Sequence, residues 1–283
     1  MLPKKNEEKK LKRLVIGEKK KMIELNKIYL EKQGELDILK QISDKTIHLI
    51  VTSPPYPMIE MWDKIFEKVN CKTYDEMHSF LTKFWKKCYD ILIDGGILCI
   101  NIGDATRSIN GKFKLYPNHA RIIEICEQIG FKTLPFILWK KPTNKPNAFL
   151  GSGFLPPNAY ITLDCEFILI FRKGDLRKFL PKDKNRYDSQ YTKEERDKYF
   201  SQIWEIRGCS QNNLGRRTAS FPEEIPYRLI RMFSVKNDVV LDPFVGIGTT
   251  CIVAKKLNRK YIGIEIYQEY IDYANEELEK VEM

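Results

Sequence analysis

Two short runs carry residues whose types and spacing can do chemistry. The first is Ser53-Pro54-Pro55-Tyr56, which follows the apolar run from Ile47 to Thr52. Two prolines cannot extend a sheet ladder, since each lacks an N–H and holds φ fixed, so a strand ending at Thr52 must present a rigid tip. That tip offers the Ser53 hydroxyl, the Pro54 carbonyl with no local donor, and the aromatic face of Tyr56. Such a set suits a planar base that carries an amino group: the oxygens accept from its N–H groups while the ring stacks on it. Taken alone, the tetrapeptide is equally consistent with a plain strand-ending turn.

The second run lies about 190 residues later, where Asp238 to Thr250 reads DVVLDPFVGIGTT. An apolar strand ends in Asp242-Pro243-Phe244, a loop with Gly246 and Gly248 follows, and a helix opens at Thr249. A further strand, Tyr261 to Ile264, then ends in Glu265. Strand, glycine turn, helix, strand and acid make half of a nucleotide-binding unit. The glycines let a ligand approach the backbone at the helix N-terminus, and the acid is placed to hold ribose hydroxyls. There is no third glycine, so the spacing departs from the dinucleotide fingerprint, and Asp242-Pro243-Phe244 is not a diphosphate cradle.

Together the two runs resemble the amino-group DNA methyltransferases that use S-adenosylmethionine, in the arrangement where the catalytic motif precedes the cofactor motif. The resemblance spans about Asn26 to Leu278. It implies a Rossmann-like α/β fold with a mixed, largely parallel sheet, helices on both faces and a circularly permuted motif order. It assigns catalysis to Ser53, Pro54, Pro55 and Tyr56, and cofactor binding to Asp242, Pro243, Phe244, Gly246, Gly248, Thr249, Thr250 and Glu265. Phe221 joins them, because in relatives its helix packs beside the methionine end of the cofactor.

In that family Ser at the first catalytic position is typical of cytosine-N4 enzymes and Asp of adenine-N6 enzymes. The extension Pro57-Met58-Ile59-Glu60-Met61-Trp62-Asp63 also looks like the cytosine branch. The implied activity is methyl transfer to the N4 amine of a flipped-out cytosine in double-stranded DNA, in a restriction-modification context that leaves room for a cognate restriction endonuclease. Adenine-N6 methylation is the nearest alternative, and a non-catalytic nucleic-acid-binding protein is the alternative of another class. Gly34-Glu35 stands with altered spacing where relatives carry Gly-Asp, so Glu35 is not assigned as a ligand. The chain has no Pro-Cys dipeptide, which sets aside covalent attack on cytosine carbon 5.

Composition bounds the chain more loosely. The 283 residues are 43% apolar, enough for a full core, and carry a net charge of +10. Residues 1–22 hold nine Lys or Arg against three Glu, a basic arm that either neutralises phosphates or is a solvated tail. The apolar runs are too short to span a membrane and no apolar segment follows the charged N-terminus, so a cytoplasmic protein is expected. Seven scattered cysteines without a CxxC pair indicate neither a disulfide framework nor a zinc site, and no metal is expected.

The elements that must position these residues follow from periodicity. Short elements are expected at Ile28–Leu30 (strand) and Leu36–Ile42 (helix), and Thr73–Leu92 reads as a helix closed by Asp94-Gly95-Gly96. Strand Ile97–Ile102 then ends in Gly103-Asp104, where Asp104 either lines the pocket or caps a turn. A helix over Pro117–Ile129 and strands Phe131–Trp139 and Cys165–Arg172 continue the α/β alternation. Trp62 and Phe66 either cover the base pocket or belong to the core. The organisation expected is a basic tail at 1–25, a catalytic half at 26–173, a target-recognition insert at 174–219 and a cofactor half at 220–283. DNA contacts are expected from Lys141 and Lys145 in the loop after the Phe131 strand, and from Gln211, Asn212, Asn213, Arg216 and Arg217 in the insert. A helix opening at Phe221-Pro222 and a last helix over Tyr267–Leu278 close the chain. With no strand beyond it, the sheet needs a partner strand from the N-terminal part.

Overall fold

The computed structural model describes residues 23–142, 150–152, 155–209 and 220–282. In chain order the elements are β1 (Lys27–Leu30), α1 (Asp37–Gln41), β2 (Ile47–Thr52), a 3-10 turn (Glu60–Trp62), α2 (Asp63–Lys68), α3 (Tyr74–Ile91) and β3 (Leu92–Ile102). Then come β4 (Ala105–Ile109), β5 (Lys112–Tyr116), α4 (Asn118–Ile129), β6 (Phe131–Lys140), β7 (Leu150–Gly151), β8 (Ala159–Tyr160) and β9 (Cys165–Lys173). The chain ends with α5 (Lys184–Tyr187), α6 (Lys193–Tyr199), β10 (Ile203–Glu205), α7 (Glu224–Phe233), β11 (Val239–Asp242), α8 (Thr249–Lys256), β12 (Lys260–Glu265) and α9 (Gln268–Glu279).

Eight strands form one sheet in the order β1-β12-β11-β2-β3-β9-β6-β10. Only β9 runs antiparallel to its neighbours β3 and β6; every other pair is parallel. The C-terminal pair β11 and β12 is inserted between β1 and β2, with Lys27–Leu30 in register with Ile262–Glu265. The partner strand required from the N-terminal part is therefore β1, and the permuted order is built into the sheet.

Side-chain alternation divides the interior into two layers. Ile50 of β2 joins α3 and α4 through Leu81, Trp85, Cys88, Ile122 and Cys126. Leu49 and Val51 point the other way, into a core with Ile225 and Leu229 of α7, Val253 of α8 and Ile271 and Ala274 of α9. Buried on both faces from Leu49 to Val51, β2 reads there as a continuous apolar run and not as an alternating one.

Several elements differ from the sequence reading. The strand expected from Ile97 begins at Leu92, which pairs with Ile47 before an irregularity brings Ile97 opposite Leu49. Gly95, with φ +81°, carries the chain through it, and a Cβ there would meet the Arg177 backbone at 2.4 Å. The hairpin of β4 and β5 has no counterpart in the sequence reading, yet its turn, Asn110-Gly111, is the pair that a two-residue hairpin favours, with φ of +52° and +74°. In the described part of 174–219, β10 extends the main sheet beside β6, and Trp204 is fully buried. Three residues are too few for periodicity to reveal a strand. Of the cysteines, all free, five are buried, Cys165 is half-buried and Cys209 is exposed. Among the described residues no helix is long and apolar enough to cross a membrane.

Candidate active site

The site forms where β2 and β11 lie side by side and their chains continue in opposite directions across the sheet, β2 to β3 and β11 to β12. Such a switch point leaves a crevice at the C-terminal ends of the strands. Val240 and Leu241 pair with Leu49 and Ile50, so the tip after Thr52 emerges beside Asp242. A cavity of about 330 Å³ opens here, lined by Ser53, Pro55, Phe221, Asp242, Pro243, Phe244, Gly246, Thr249 and Glu265. Two runs separated by about 190 residues thus wall one space.

Asp242 joins the two halves. Thr52 Oγ1 donates to its Oδ1 at 2.7 Å, Thr250 Oγ1 to its Oδ2 at 2.7 Å, and the Phe244 N–H to Oδ1 at 3.0 Å. The carboxyl is almost fully buried, and burial raises its pKa to about 6 although these donors pull it down. Thr250, assigned to the cofactor, therefore braces Asp242 and is absent from the cavity wall. Gly248 is likewise a packing residue: it caps α8 with φ +88°, and a Cβ would lie 2.5 Å from the Ala274 Cβ. Gly246 differs, for a Cβ there would meet nothing within 4 Å, and it lines the cavity.

Glu265 ends β12 with both carboxylate oxygens held by backbone. Gly246 N–H donates to Oε2 at 2.9 Å, and the N–H groups of Ile266 and Tyr267 donate to Oε1 at 2.8 and 3.1 Å. Burial raises its pKa against those three donors. A carboxylate so pinned is a preorganised acceptor: Oε1 is filled by its two N–H donors, and Oε2 keeps a lone pair for a ligand hydroxyl. Phe244 packs on Phe84 of α3, ring centroids 4.7 Å apart, and offers the cavity an apolar wall together with Phe80, Trp62 and Phe221.

At the other end of the cavity the Ser53–Tyr56 tip is held from behind. Pro54 and Pro55 are buried and Tyr56 is 9% exposed. The Tyr56 hydroxyl lies 3.1 Å from Ser53 Oγ, donates to Glu166 Oε2 at 2.9 Å and receives the Asn101 amide at 2.7 Å. Asn101 Nδ2 also reaches Glu166 Oε2 at 2.7 Å, and Lys141 pairs with Glu166 Oε1. Gly103 lets the Tyr56 ring lie against the end of β3, as a Cβ would come within 3.1 Å of the ring.

Sequence reasoning missed Asn101, Glu166 and Glu31. An Asn inside the apolar strand 97–102 was the available signal, since a buried amide must find partners. Glu31, 7% exposed, follows β1, accepts from the Ile38 and Lys32 N–H groups and lines the cavity with Glu35. Asp104 caps α4 instead of lining the cavity, accepting from the His119 N–H at 3.1 Å and its Nδ1 at 2.8 Å. Phe66 is core, whereas Trp62 is half-buried at the cavity wall. Lys141, named for DNA contact, is engaged by Glu166 and stands 4.4 Å over the Trp139 ring. Lys145, Gln211, Asn212, Asn213, Arg216 and Arg217 lie outside the described residues, as does the basic arm at 1–22.

Comparison with known proteins agrees with this geometry. Residues 47–276 match the family model of the N6/N4 DNA methylases. The chain is 59% identical over 258 residues to the type II methyltransferase M.MjaI of Methanocaldococcus jannaschii, covering 82% of this chain and 85% of that one. It is 45% identical over 267 residues to the type II methyltransferase M.MthZI of Methanothermobacter thermautotrophicus, covering 87% and 74%. Among solved structures, TTHA0409 of Thermus thermophilus, a proposed DNA modification methylase solved with S-adenosyl-L-methionine, superposes with a TM-score of 0.72 at 31% identity, covering 90% of this chain and 97% of that one. With Ser53, Pro55 and the Gly246 turn walling one cavity and most of its length matched, the chain belongs to the family of N6/N4 DNA methylases.

Proposed function

We propose that the protein methylates the exocyclic N4 amine of a flipped-out cytosine in double-stranded DNA, with S-adenosylmethionine as donor, in a restriction-modification setting. The observation that carries this reading is the shared cavity, which has Ser53 and Pro55 at one end and Gly246 and Glu265 at the other. The residues present fit the cofactor. Open space above Gly246 admits a ligand against the backbone, Glu265 supplies acceptors for ribose hydroxyls, and Phe244 and Phe221 supply apolar walls. When bound, S-adenosylmethionine supplies an electrophilic sulfonium methyl.

The protein's own groups do the rest. A cytosine amine is a poor nucleophile because its lone pair is delocalised into the ring. Acceptors at Ser53 Oγ and the Pro54 carbonyl favour pyramidal nitrogen and aim its lone pair at the methyl group. The amine becomes strongly acidic only once it carries the methyl, so positioning matters more than a general base. Tyr56 offers its ring to the extruded base, which cannot be reached within a duplex. Ser53, rather than an acid, at the head of the tip favours cytosine. The type II names of M.MjaI and M.MthZI support a cognate endonuclease acting on the same site.

The test is to incubate the protein with methyl-labelled S-adenosylmethionine and unmethylated genomic DNA, digest to nucleosides and identify the labelled product by mass spectrometry. N4-methylcytosine is expected. N6-methyladenine would keep the site and overturn the base assignment.

A further inference from the structure

The network behind Tyr56 contains an asymmetry that decides which way its hydrogen bonds point. Glu166 pairs with Lys141, and as a carboxylate it can only accept. The phenol has one proton, which it gives to Glu166 Oε2 at 2.9 Å, so toward its other neighbours the phenol oxygen acts as acceptor. Asn101 Nδ2 fills one such position at 2.7 Å, and its amide orientation is fixed because the same nitrogen faces Glu166 Oε2. The remaining contact, Ser53 Oγ at 3.1 Å, must then run from the Ser53 hydroxyl to the Tyr56 oxygen. With its single proton committed backward, Ser53 presents only lone pairs to the cavity it lines.

We propose that Glu166 is a positioning residue that sets the direction of this chain, Ser53 to Tyr56 to Glu166, and thereby makes Ser53 an obligate acceptor for the target amine. The inference rests on the proposed amine methylation and adds to it the group that keeps the tip in its working state. Without the carboxylate, Ser53 would be free to turn its hydroxyl toward the cavity, placing a donor against a donating amine. Burial first, and the neighbouring carboxylate second, push the Tyr56 phenol well above its ordinary range, so the phenol keeps the proton that the chain requires. Lys141 favours the same direction by occupying Glu166 Oε1, which leaves Oε2 to the phenol. Glu166 is not in contact with the cavity, and its influence passes through Tyr56.

Glu166→Gln is the informative change. Its amide oxygen is claimed by Lys141, leaving an NH2 group that faces both the phenol oxygen and Asn101 Nδ2, so the phenol proton loses its acceptor on Glu166 and the direction of the Ser53 contact is no longer fixed. Turnover of unmethylated DNA by Glu166→Gln is expected to fall on the order of 10- to 100-fold, the worth of one charge-assisted hydrogen bond. The KM for S-adenosylmethionine and calorimetric cofactor binding should stay within about twofold, as expected for an effect confined to the reacting end. In a Tyr56→Phe background, where no hydroxyl connects Glu166 to Ser53, Glu166→Gln should have no further effect on kcat. Equal losses in both backgrounds, or wild-type kcat in Glu166→Gln, would overturn the proposal. Identifying the labelled nucleoside in the same reactions separates the two readings, for N6-methyladenine would revise the base while the ratio of rates still judges Glu166.

Discussion

Asp242 carries the clearest pH signature of any single residue. Its carboxyl is raised from 3.8 to about 6 by burial, so the folded protein holds this proton more tightly than the unfolded chain. The resulting stability is fully present below pH 4 and is lost as pH rises through about 6. Between those limits the wild type should lose on the order of 3 kcal/mol that an Asp242→Asn variant does not lose. Denaturant titrations of both proteins from about pH 4 to 7 check this, and parallel curves would count against a buried, proton-binding carboxyl. Ser53→Ala should lower kcat by about 10-fold or more while leaving cofactor affinity unchanged, because the hydroxyl acts on the amine and not on the donor. Glu265→Ala removes the acceptor of three N–H groups and the expected ribose contact, and should weaken S-adenosylmethionine binding by about 1.5–3 kcal/mol. Calorimetry showing unchanged affinity would remove Glu265 from the cofactor site.

At the scale of elements, the glycine turn between β11 and α8 does two jobs that its sequence does not distinguish. Gly246 leaves open space on the cavity side, while Gly248 permits a left-handed backbone and the close approach of α9 at Ala274. Gly248→Ala is therefore expected to destabilise the fold by about 2 kcal/mol or more, through overpacking and strain together. Gly246→Ala carries strain of about 1–2 kcal/mol but meets no atom of the protein, so its larger effect should fall on cofactor affinity. Thermal unfolding set beside calorimetry separates the two variants. Asn110-Gly111 is the one local signal for the β4–β5 hairpin, since burial along its two strands does not alternate. By contrast β10 contributes only three residues, and its identity comes from Trp204 filling space against the sheet.

Across the whole molecule, polar clamps bind chain-distant segments to the central strands. Arg177, just beyond β9, makes two bonds to the buried Asp238 at 2.6 and 2.9 Å. His48 of β2 stands beside the same carboxylate, its Nε2 3.5 Å away and its Nδ1 receiving the Val239 N–H. Burial lowers the His48 pKa, the Asp238 charge opposing it, so the ring is neutral and free to accept at Nδ1. Arg177→Ala leaves Asp238 buried beside a neutral ring and should cost about 3 kcal/mol or more. Chemical denaturation checks it, and a loss below about 1 kcal/mol would mean that Asp238 is satisfied without its guanidinium.

The sequence by itself determined the fold class and the two runs that come to wall one cavity. Prolines and glycines act on their own backbone, so Ser53-Pro54-Pro55-Tyr56 and the Gly246–Thr250 turn announce where strands stop and a helix starts wherever they occur. Long apolar runs such as 47–52 similarly declare strands buried on both faces. Tertiary structure alone decided which assigned residues touch the cavity. Thr250 and Gly248 belong to the motif yet serve packing, and Lys141 turned inward to Glu166. The same holds for Asn101 and Glu166, whose roles arise because β3 and β9 pair antiparallel and bring Asn101 and Glu166 to one phenol. A hydrogen-bond direction is a property of at least three partners at once, and no local pattern encodes partners that are 45 and 110 residues away.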